Sequence, residues 1–192
     1  MTILINLAGA PSTGKSTLAS KIFSKLKEMG LSAEYSPEYV KGWVYRGQKV
    51  RPYDQLFLCG REAYNQSQLF NKVDFAISDS PVYLTAFYHL YANGDNALRE
   101  ICKDFYDMAE RLDNVKVLNF YLPLRKEYKN KGRFHSKEQA IEIDHLLHSF
   151  LEVEGYEYTE LNCPDNERLS VIIDKLSEVT NDFEDMREDC DE

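Results

Sequence analysis

The sequence predicts an α/β fold built on a parallel sheet, and two observations support this prediction. Apolar strand-like segments alternate with helix-compatible segments along nearly the whole chain, and a glycine-rich turn separates the first strand from the first helix. Alternating strands and helices require a parallel sheet with helices on both faces. The 192 residues contain no repeat and no linker, so we expect one domain over residues 1–180.

The glycine-rich turn has the pattern G-x-x-x-x-G-K-[ST] of a phosphate-binding loop. An apolar, β-branched strand is predicted before it, over residues 3–8, and a helix after it, over residues 16–29. Leu18, Ile22 and Leu26 recur in that helix at four-residue spacing. This strand–loop–helix order is the context that the motif requires, and it predicts the three-layer α/β/α sandwich of P-loop NTPases.

The chemistry of the loop predicts which residues bind a nucleotide. Backbone N–H groups and the N-terminus of the following helix face the phosphates, and the two glycines allow the backbone to approach them. We expect Lys15 to contact the β- and γ-phosphates of ATP and the Ser16 hydroxyl to bind Mg²⁺. The predicted nucleotide-binding residues are Gly9, Ala10, Pro11, Ser12, Thr13, Gly14, Lys15, Ser16 and Thr17.

The remaining elements follow in alternation. Further strands are predicted over residues 31–36, 73–79, 115–121 and 156–161. Further helices are predicted over residues 54–71, 81–91, 96–112, 137–150 and 166–179. Ligands of such sheets bind at the carboxyl ends of the strands, so the functional residues should follow the strands directly.

Two carboxylates stand at predicted strand ends. Asp79 ends the third strand, where P-loop enzymes place a second acid for Mg²⁺, although Asp79-Ser80-Pro81 could instead cap the next helix. Glu38 follows the second strand, where it could hold an acceptor hydroxyl and accept its proton. The alternative for Glu38 is an ordinary acid in the first turn of a helix.

A basic segment follows the fourth strand. Residues 125–137 contain six Lys or Arg residues against one acid, and a lid over about residues 123–137 is predicted there. Arg133 and Arg125 are the candidates to bring a guanidinium to the transferring phosphoryl group. A solvated basic loop or a contact surface for DNA, helped by Tyr128 and Phe134, are the alternatives.

Two other side-chain groups have open interpretations. Tyr39, Trp43 and Tyr45 lie in the segment 38–53 and could stack on a planar ring or belong to the core. His145 and His148 share a helix face, where surface histidines are a better interpretation than a metal site.

Composition limits the class of protein. With 43% hydrophobic and 29% charged residues, the chain is typical of a globular protein, and we expect a cytoplasmic protein without signal peptide or membrane span. Four cysteines lie far apart in sequence, which favours isolated reduced thiols. Residues 181–192 carry seven acids and one arginine, a net −6 of the total −9, and predict a disordered, solubilising tail.

With these residues, the chain resembles the P-loop kinases, in particular the ribosylnicotinamide kinase domain of bacterial NAD-biosynthesis regulators and small bacteriophage nucleotide kinases. The matching stretches are G-A-P-S-T-G-K-S-T, E-Y-S-P-E-Y-V, D-Q-L-F-L-C-G-R-E-A-Y-N-Q-S-Q, A-I-S-D-S-P-V-Y-L-T-A-F and E-G-Y-E-Y-T-E-L. The resemblance implies a sheet of order 2-3-1-4-5 with ATP and Mg²⁺ as cofactors. The chain differs by having Glu38 where an aspartate is expected.

The sequence therefore predicts an ATP-dependent kinase that phosphorylates a hydroxyl or phosphate of a nucleoside- or nucleotide-type acceptor. One alternative is a kinase acting on hydroxymethyl-pyrimidine bases in DNA, which the basic lid allows and the acidic net charge disfavours. Another is a P-loop ATPase or switch that acts on a protein partner. A homodimer is possible.

Overall fold

The computed structural model describes residues 1–124 and 136–188, with side chains up to residue 180. Five parallel strands form one sheet in the order β2-β3-β1-β4-β5. The strands are β1 Thr2–Ala8, β2 Ala33–Ser36, β3 Phe75–Ser78, β4 Val115–Tyr121 and β5 Thr159–Glu160. The predicted fold class and strand order are confirmed.

Helices cover both faces of the sheet, and the strand β1 lies at its centre. Ile5 of β1 pairs with Ile77 of β3 on one side and with Leu118 of β4 on the other. Every residue of β1 is buried, because both of its faces are packed against helices. The helices are α1 Lys15–Glu28, α2 Lys41–Tyr45, α3 Asp54–Ser67, α4 Tyr83–Asn93, α5 Arg99–Asp113, α6 Lys137–Glu154 and α7 Arg168–Glu188.

Two hydrophobic clusters hold the layers together. Alternate residues of β1 point to opposite faces, so Ile3 and Ile5 pack with α1 and α7. Leu4 and Ala8 pack on the other face with residues of α3, α4, α5 and α6. The carboxyl ends of the parallel strands therefore meet at one edge, which is where the loop after β1 lies.

Most element ends shift by up to four residues, and three differences from the sequence prediction are larger. The segment 38–53, for which no helix or strand is predicted, contains the short helix α2, anchored by the buried Trp43. The strand β5 has two residues, because only Phe120 and Tyr121 of β4 pair with it. The helix α7 continues to Glu188, nine residues past the predicted end at Val179. The tail prediction for residues 189–192 lies outside the described residues.

The cysteines are less isolated than the sequence spacing indicates. Cys59 of α3 and Cys102 of α5 are buried free thiols whose Sγ atoms lie 3.7 Å apart, because the two helices pack side by side. Within residues 1–124 and 136–188, no helix has both the length and the apolar character needed to cross a bilayer.

Candidate active site

The loop between β1 and α1 has a backbone that requires glycine. Gly9 has φ +151°, and a Cβ there would lie 2.5 Å from the Leu122 carbonyl oxygen and 2.9 Å from Thr13 Oγ1. Gly14, directly before α1, has φ +93°. Side-chain-bearing residues rarely adopt these angles, so the two glycines of the motif are explained by the loop geometry.

Two cationic side chains hold the loop, one from its hollow and one from α7. The Lys15 ammonium donates hydrogen bonds to the carbonyl oxygens of Gly9 at 2.6 Å and Ala10 at 3.0 Å. Arg168, at the start of α7 and 2% exposed, donates from Nη1 to the Thr13 carbonyl oxygen at 3.1 Å. Lys15 thus lies in the hollow of the loop, and Arg168 supports the loop from α7.

The two predicted carboxylates lie together at the sheet edge. The strands β2 and β3 are neighbours, so the residues that follow them are close, and the Glu38 N–H donates to Asp79 Oδ1 at 2.9 Å. Asp79 is 2% exposed. The helix α4 begins after Val82 without a side-chain cap, so the helix-capping alternative for Asp79 is wrong. Glu38 precedes the first residue of α2 and is therefore not a first-turn helix acid.

Ser16 and Asp79 converge on the Tyr35 hydroxyl. Burial, the negative charge of Asp79 and a hydrogen bond to Asp79 raise the pKa of Tyr35. A hydrogen bond with the Ser16 hydroxyl has the opposite effect. Lys41 Nζ donates to Ser16 Oγ at 3.4 Å. A hydroxyl and a carboxylate held this close are the hard oxygen ligands that Mg²⁺ prefers when phosphate oxygens supply the rest of its coordination. The residues present therefore fit a magnesium–nucleotide complex.

A cavity of about 480 Å³ opens from the phosphate loop. Its volume is that of a small-molecule site. Its wall combines apolar and polar side chains from the segment after β2, from α3 and from α4. The lining residues beyond the phosphate loop are Glu38, Val40, Lys41, Val44, Lys49, Val50, Arg51, Pro52, Gln55, Leu58, Glu62, Ser80, Leu84, Thr85, Tyr88, Tyr91 and Ala92.

The aromatic residues of the segment 38–53 do not line this cavity. Trp43 stacks on Phe57 of α3, with ring centroids 6.0 Å apart and planes 13° apart, and Tyr39 packs edge-on against both. Tyr45 is 72% exposed. The aromatic side chains of the cavity wall come instead from α4, as Tyr88 and Tyr91. The core interpretation thus holds for Trp43, whereas Tyr39 is half-buried and packs against it outside the cavity wall.

The predicted lid lies mostly outside the described residues, and both Arg125 and Arg133 fall there. Its two ends are described. The Leu124 N–H donates to both carboxylate oxygens of Asp144 in α6, and Ser136 caps α6 together with Gln139 in a capping box. Leu124 and Ser136, the described residues on either side, are therefore both held by α6.

Neither histidine of α6 is buried: His145 is exposed and His148 is half-buried. His148 Nε2 lies 3.1 Å from the Tyr158 hydroxyl, and its Nδ1 lies 3.6 Å from Glu152. Within the described part of the chain, no three His, Cys, Asp or Glu side chains form a group that could hold a metal ion.

The structure adds four residues to the site that the sequence argument did not single out. They are Tyr35, Lys41, Glu62 and Arg168. One of them carries a sequence signal: Glu62 follows Leu58 and Cys59 at four- and three-residue spacing, so the helical period places an acid beside two apolar residues. Nothing in the local sequence indicates the other three, because their contacts join distant segments.

Comparison with known proteins agrees with this architecture. A family profile described as an AAA domain matches residues 4–168. No curated protein matches the chain. Among solved structures, deoxyadenosine kinase from M. mycoides with bound dATP superposes with a TM-score of 0.56 at 16% identity, covering 91% of this chain and 98% of its own.

Two further structures share the fold. NadR protein in complex with NR superposes with a TM-score of 0.68 at 17% identity, and the match covers 92% of this chain and 51% of NadR. The protein APE1195 superposes with a TM-score of 0.53 at 16% identity, with 93% and 96% coverage. At these identities the similarity establishes the fold alone, which is the α/β fold of the P-loop NTPases. The profile covers most of the chain, and the protein therefore belongs to the AAA-domain family that it describes.

Proposed function

We propose that the protein is an ATP-dependent kinase that transfers the γ-phosphoryl group to a hydroxyl of a nucleoside-type acceptor. One observation carries the proposal: the cavity that begins at the phosphate loop has Glu38 in its wall, and the Glu38 backbone is fixed to Asp79. A candidate base thus shares one space with the candidate donor site. We call the phosphate loop, residues 9–17, the donor side, and the remaining cavity wall the acceptor side.

On the donor side, Lys15 and the loop amides hold the phosphates of ATP. Ser16 and Asp79 would hold Mg²⁺, which neutralises charge that develops on the phosphate oxygens. The lysine now bonded to the Gly9 and Ala10 carbonyls needs only a side-chain rotation to reach a phosphate in the same hollow. Phosphoryl transfer depends mainly on positioning and charge stabilisation, and this loop offers both.

On the acceptor side, Glu38 accepts the proton of the attacking hydroxyl. The position of the Glu38 carboxylate beside the phosphate loop supports a hydroxyl acceptor over a phosphate acceptor. A hydroxyl must lose its proton during transfer and therefore needs a base such as Glu38, whereas a phosphate oxygen is already ionised. Lys41, Lys49 and Arg51 also line the acceptor side and can bind anionic groups elsewhere on the acceptor.

The wall of the cavity suits a planar, partly apolar group. Val44, Leu58 and Leu84 supply apolar surface, and Tyr88 and Tyr91 supply aromatic rings on which a base can stack. Two of the structures with this fold are a deoxyadenosine kinase with bound dATP and NadR protein in complex with NR. This supports a nucleoside-type acceptor without choosing the base.

The basic segment supplies the last part of the proposal. We expect Arg133, with Arg125 as the second candidate, to bind the γ-phosphoryl group in the transition state. Binding of DNA through this segment, and formation of a homodimer, stay predictions from the sequence.

The test is to incubate the protein with γ-labelled ATP, Mg²⁺ and a panel of nucleosides, nicotinamide riboside, nucleoside monophosphates and hydroxymethylated DNA. We expect label on a nucleoside-type hydroxyl. Label on a monophosphate alone would contradict the hydroxyl assignment, and label on DNA would support the modified-base alternative. Release of labelled phosphate at the same rate with and without every acceptor would favour an ATPase.

A further inference from the structure

Glu62 of α3 is an acid in an unusual position. Its side chain is 2% exposed, and its Oε1 accepts a hydrogen bond from the Tyr39 N–H at 2.9 Å. Its Oε2 is buried and has no hydrogen-bond partner of ordinary geometry within the described residues. Buried polar atoms nearly always have a hydrogen-bond partner, so an oxygen without one indicates a role that the protein alone does not fill. Glu62 also lines the cavity, where a bound molecule could supply the missing partner.

The position of Glu62 links it to Glu38. The N–H groups of Glu38 and Tyr39 are consecutive, and they are held by Asp79 Oδ1 and by Glu62 Oε1, each at 2.9 Å. The backbone that carries Glu38 is therefore fixed from two sides, by the end of β3 and by α3. Movement of either carboxylate would move Glu38 relative to the phosphate loop.

The charges around Glu62 indicate its protonation state. Burial raises the pKa of Glu62 to about 8, and the negative charges of Glu38 and Asp79 add to the rise. Hydrogen bonds from the Tyr39 N–H and the Ser80 hydroxyl act in the opposite direction and lower it. At neutral pH the carboxyl is therefore mostly protonated. On its own helix, Arg61 lies over the rings of Tyr39 and Tyr64. The cations that line the same cavity are Lys15, Lys41, Lys49 and Arg51.

We propose that Glu62 is a positioning and specificity residue of the acceptor side: it fixes the backbone of Glu38 through the Tyr39 amide and donates a hydrogen bond to a polar atom of the acceptor. This inference rests on the proposed kinase function. The neutral acid can donate a hydrogen bond from Oε2, whereas the ionised form cannot donate and would repel the Glu38 carboxylate. Ionisation of Glu62 should therefore weaken acceptor binding and transfer at alkaline pH.

Two substitutions separate these roles. Glu62→Gln keeps a neutral donor, so we expect transfer at pH 7 within about threefold of the wild type and no decline in kcat/KM between pH 7 and 9 from this group. Glu62→Leu removes the donor, and we expect the acceptor KM to rise about tenfold while the ATP KM stays unchanged. Gln66→Leu is the matched control, since Gln66 is buried on the same helix but bonds to Ser78 and Ser80 and does not line the cavity.

The measurements are kcat/KM for ATP and for the acceptor between pH 6 and 9.5 in all four proteins. A Glu62→Gln profile with the same alkaline decline as the wild type would overturn the proposal. So would a Glu62→Leu variant whose acceptor KM changes no more than that of Gln66→Leu. Absence of transfer in the wild type under every condition would instead refute the proposed function.

A second readout needs no activity. A carboxyl whose pKa is raised by folding favours the folded state below its unfolded pKa and loses that advantage as pH rises through its folded pKa. The Tm of the wild type should therefore fall relative to that of Glu62→Gln as pH rises from about 5 to 9. Parallel Tm curves would contradict the protonated state of Glu62 whether or not the protein is a kinase.

Discussion

Apart from Asp79, the donor side comes from one contiguous stretch of nine residues, whereas the acceptor side is assembled from separate segments. Glu38 belongs to the segment after β2, Glu62 to α3 and Tyr88 to α4. In the proposed function, the donor side would bind through backbone amides of the loop, whose geometry depends on Gly9 and Gly14. The acceptor side would bind through side chains, and its geometry depends on how helices pack.

This difference explains why the sequence predicts the donor side more fully than the acceptor side. A phosphate chain is the same in every nucleotide, so a single loop pattern can recognise it. An acceptor differs from enzyme to enzyme, and its recognition lies in residues with no common spacing. Substitutions that separate the two sides are therefore the most direct way to examine the proposed function.

The largest effect is expected at the junction of the two sides. Glu38→Gln removes the proposed base, and we expect kcat to fall by about 10²–10⁴-fold with little change in the Kd for ATP. Initial rates with labelled ATP and equilibrium binding of ATP measure the two quantities. Glu34→Gln, an exposed acid on β2, is the control. A Glu38→Gln enzyme of normal kcat would remove Glu38 from the mechanism.

The next effect lies on the donor side alone. Lys15→Ala removes the cation from the phosphate loop, and we expect kcat/KM for ATP to fall by about 10²–10³-fold. Acceptor binding to the protein without ATP should be unaffected. Lys21→Ala, which replaces an exposed lysine of the same helix, should behave as wild type. A Lys15→Ala variant with full phosphoryl transfer would refute the kinase proposal.

A third change affects stability without affecting either side. Trp43 is 7% exposed and packs on Phe57 outside the cavity wall. Trp43→Ala should lower the free energy of unfolding by about 3–5 kcal/mol, because it leaves a hole between α2 and α3. Urea denaturation measures this loss. Below the temperature of unfolding, the KM for the acceptor should stay within twofold of the wild type, roughly the error of such a comparison. A large rise in the acceptor KM would show that Trp43 contributes to acceptor binding.

The smallest effect is expected on the acceptor side. Tyr88→Leu keeps apolar bulk but removes a ring from the cavity wall, and the acceptor KM should rise about two- to tenfold. Steady-state kinetics at saturating ATP measure this change. The matched control is Tyr64→Leu on α3, whose ring is 55% exposed and lies outside the cavity wall. Equal effects of the two substitutions would show that Tyr88 has no part in acceptor binding.

The same contrast governs what could be predicted from the sequence. The parallel sheet and the phosphate loop follow from the alternation of strands and helices and from one motif, whereas the strand order is implied only by the family resemblance. The convergence of Glu38 and Asp79 follows from the rule that parallel strands end at one edge. The roles of Tyr39 and Trp43 could not be predicted, because an aromatic residue fits a core or a binding site equally well. Arg168 lies 155 residues from its Thr13 partner, and no local pattern reports such a contact.

One measurement tests most directly whether the two sides form a single site. Isothermal titration of deoxyadenosine or nicotinamide riboside, whichever accepts label, into protein saturated with Mg²⁺ and a non-hydrolysable ATP analogue measures whether donor and acceptor bind together. We expect a ternary complex, with acceptor binding weakened by Tyr88→Leu and the affinity for the analogue unchanged. Competition between acceptor and analogue, or acceptor binding indifferent to Tyr88→Leu, would contradict the shared cavity as the place of phosphoryl transfer.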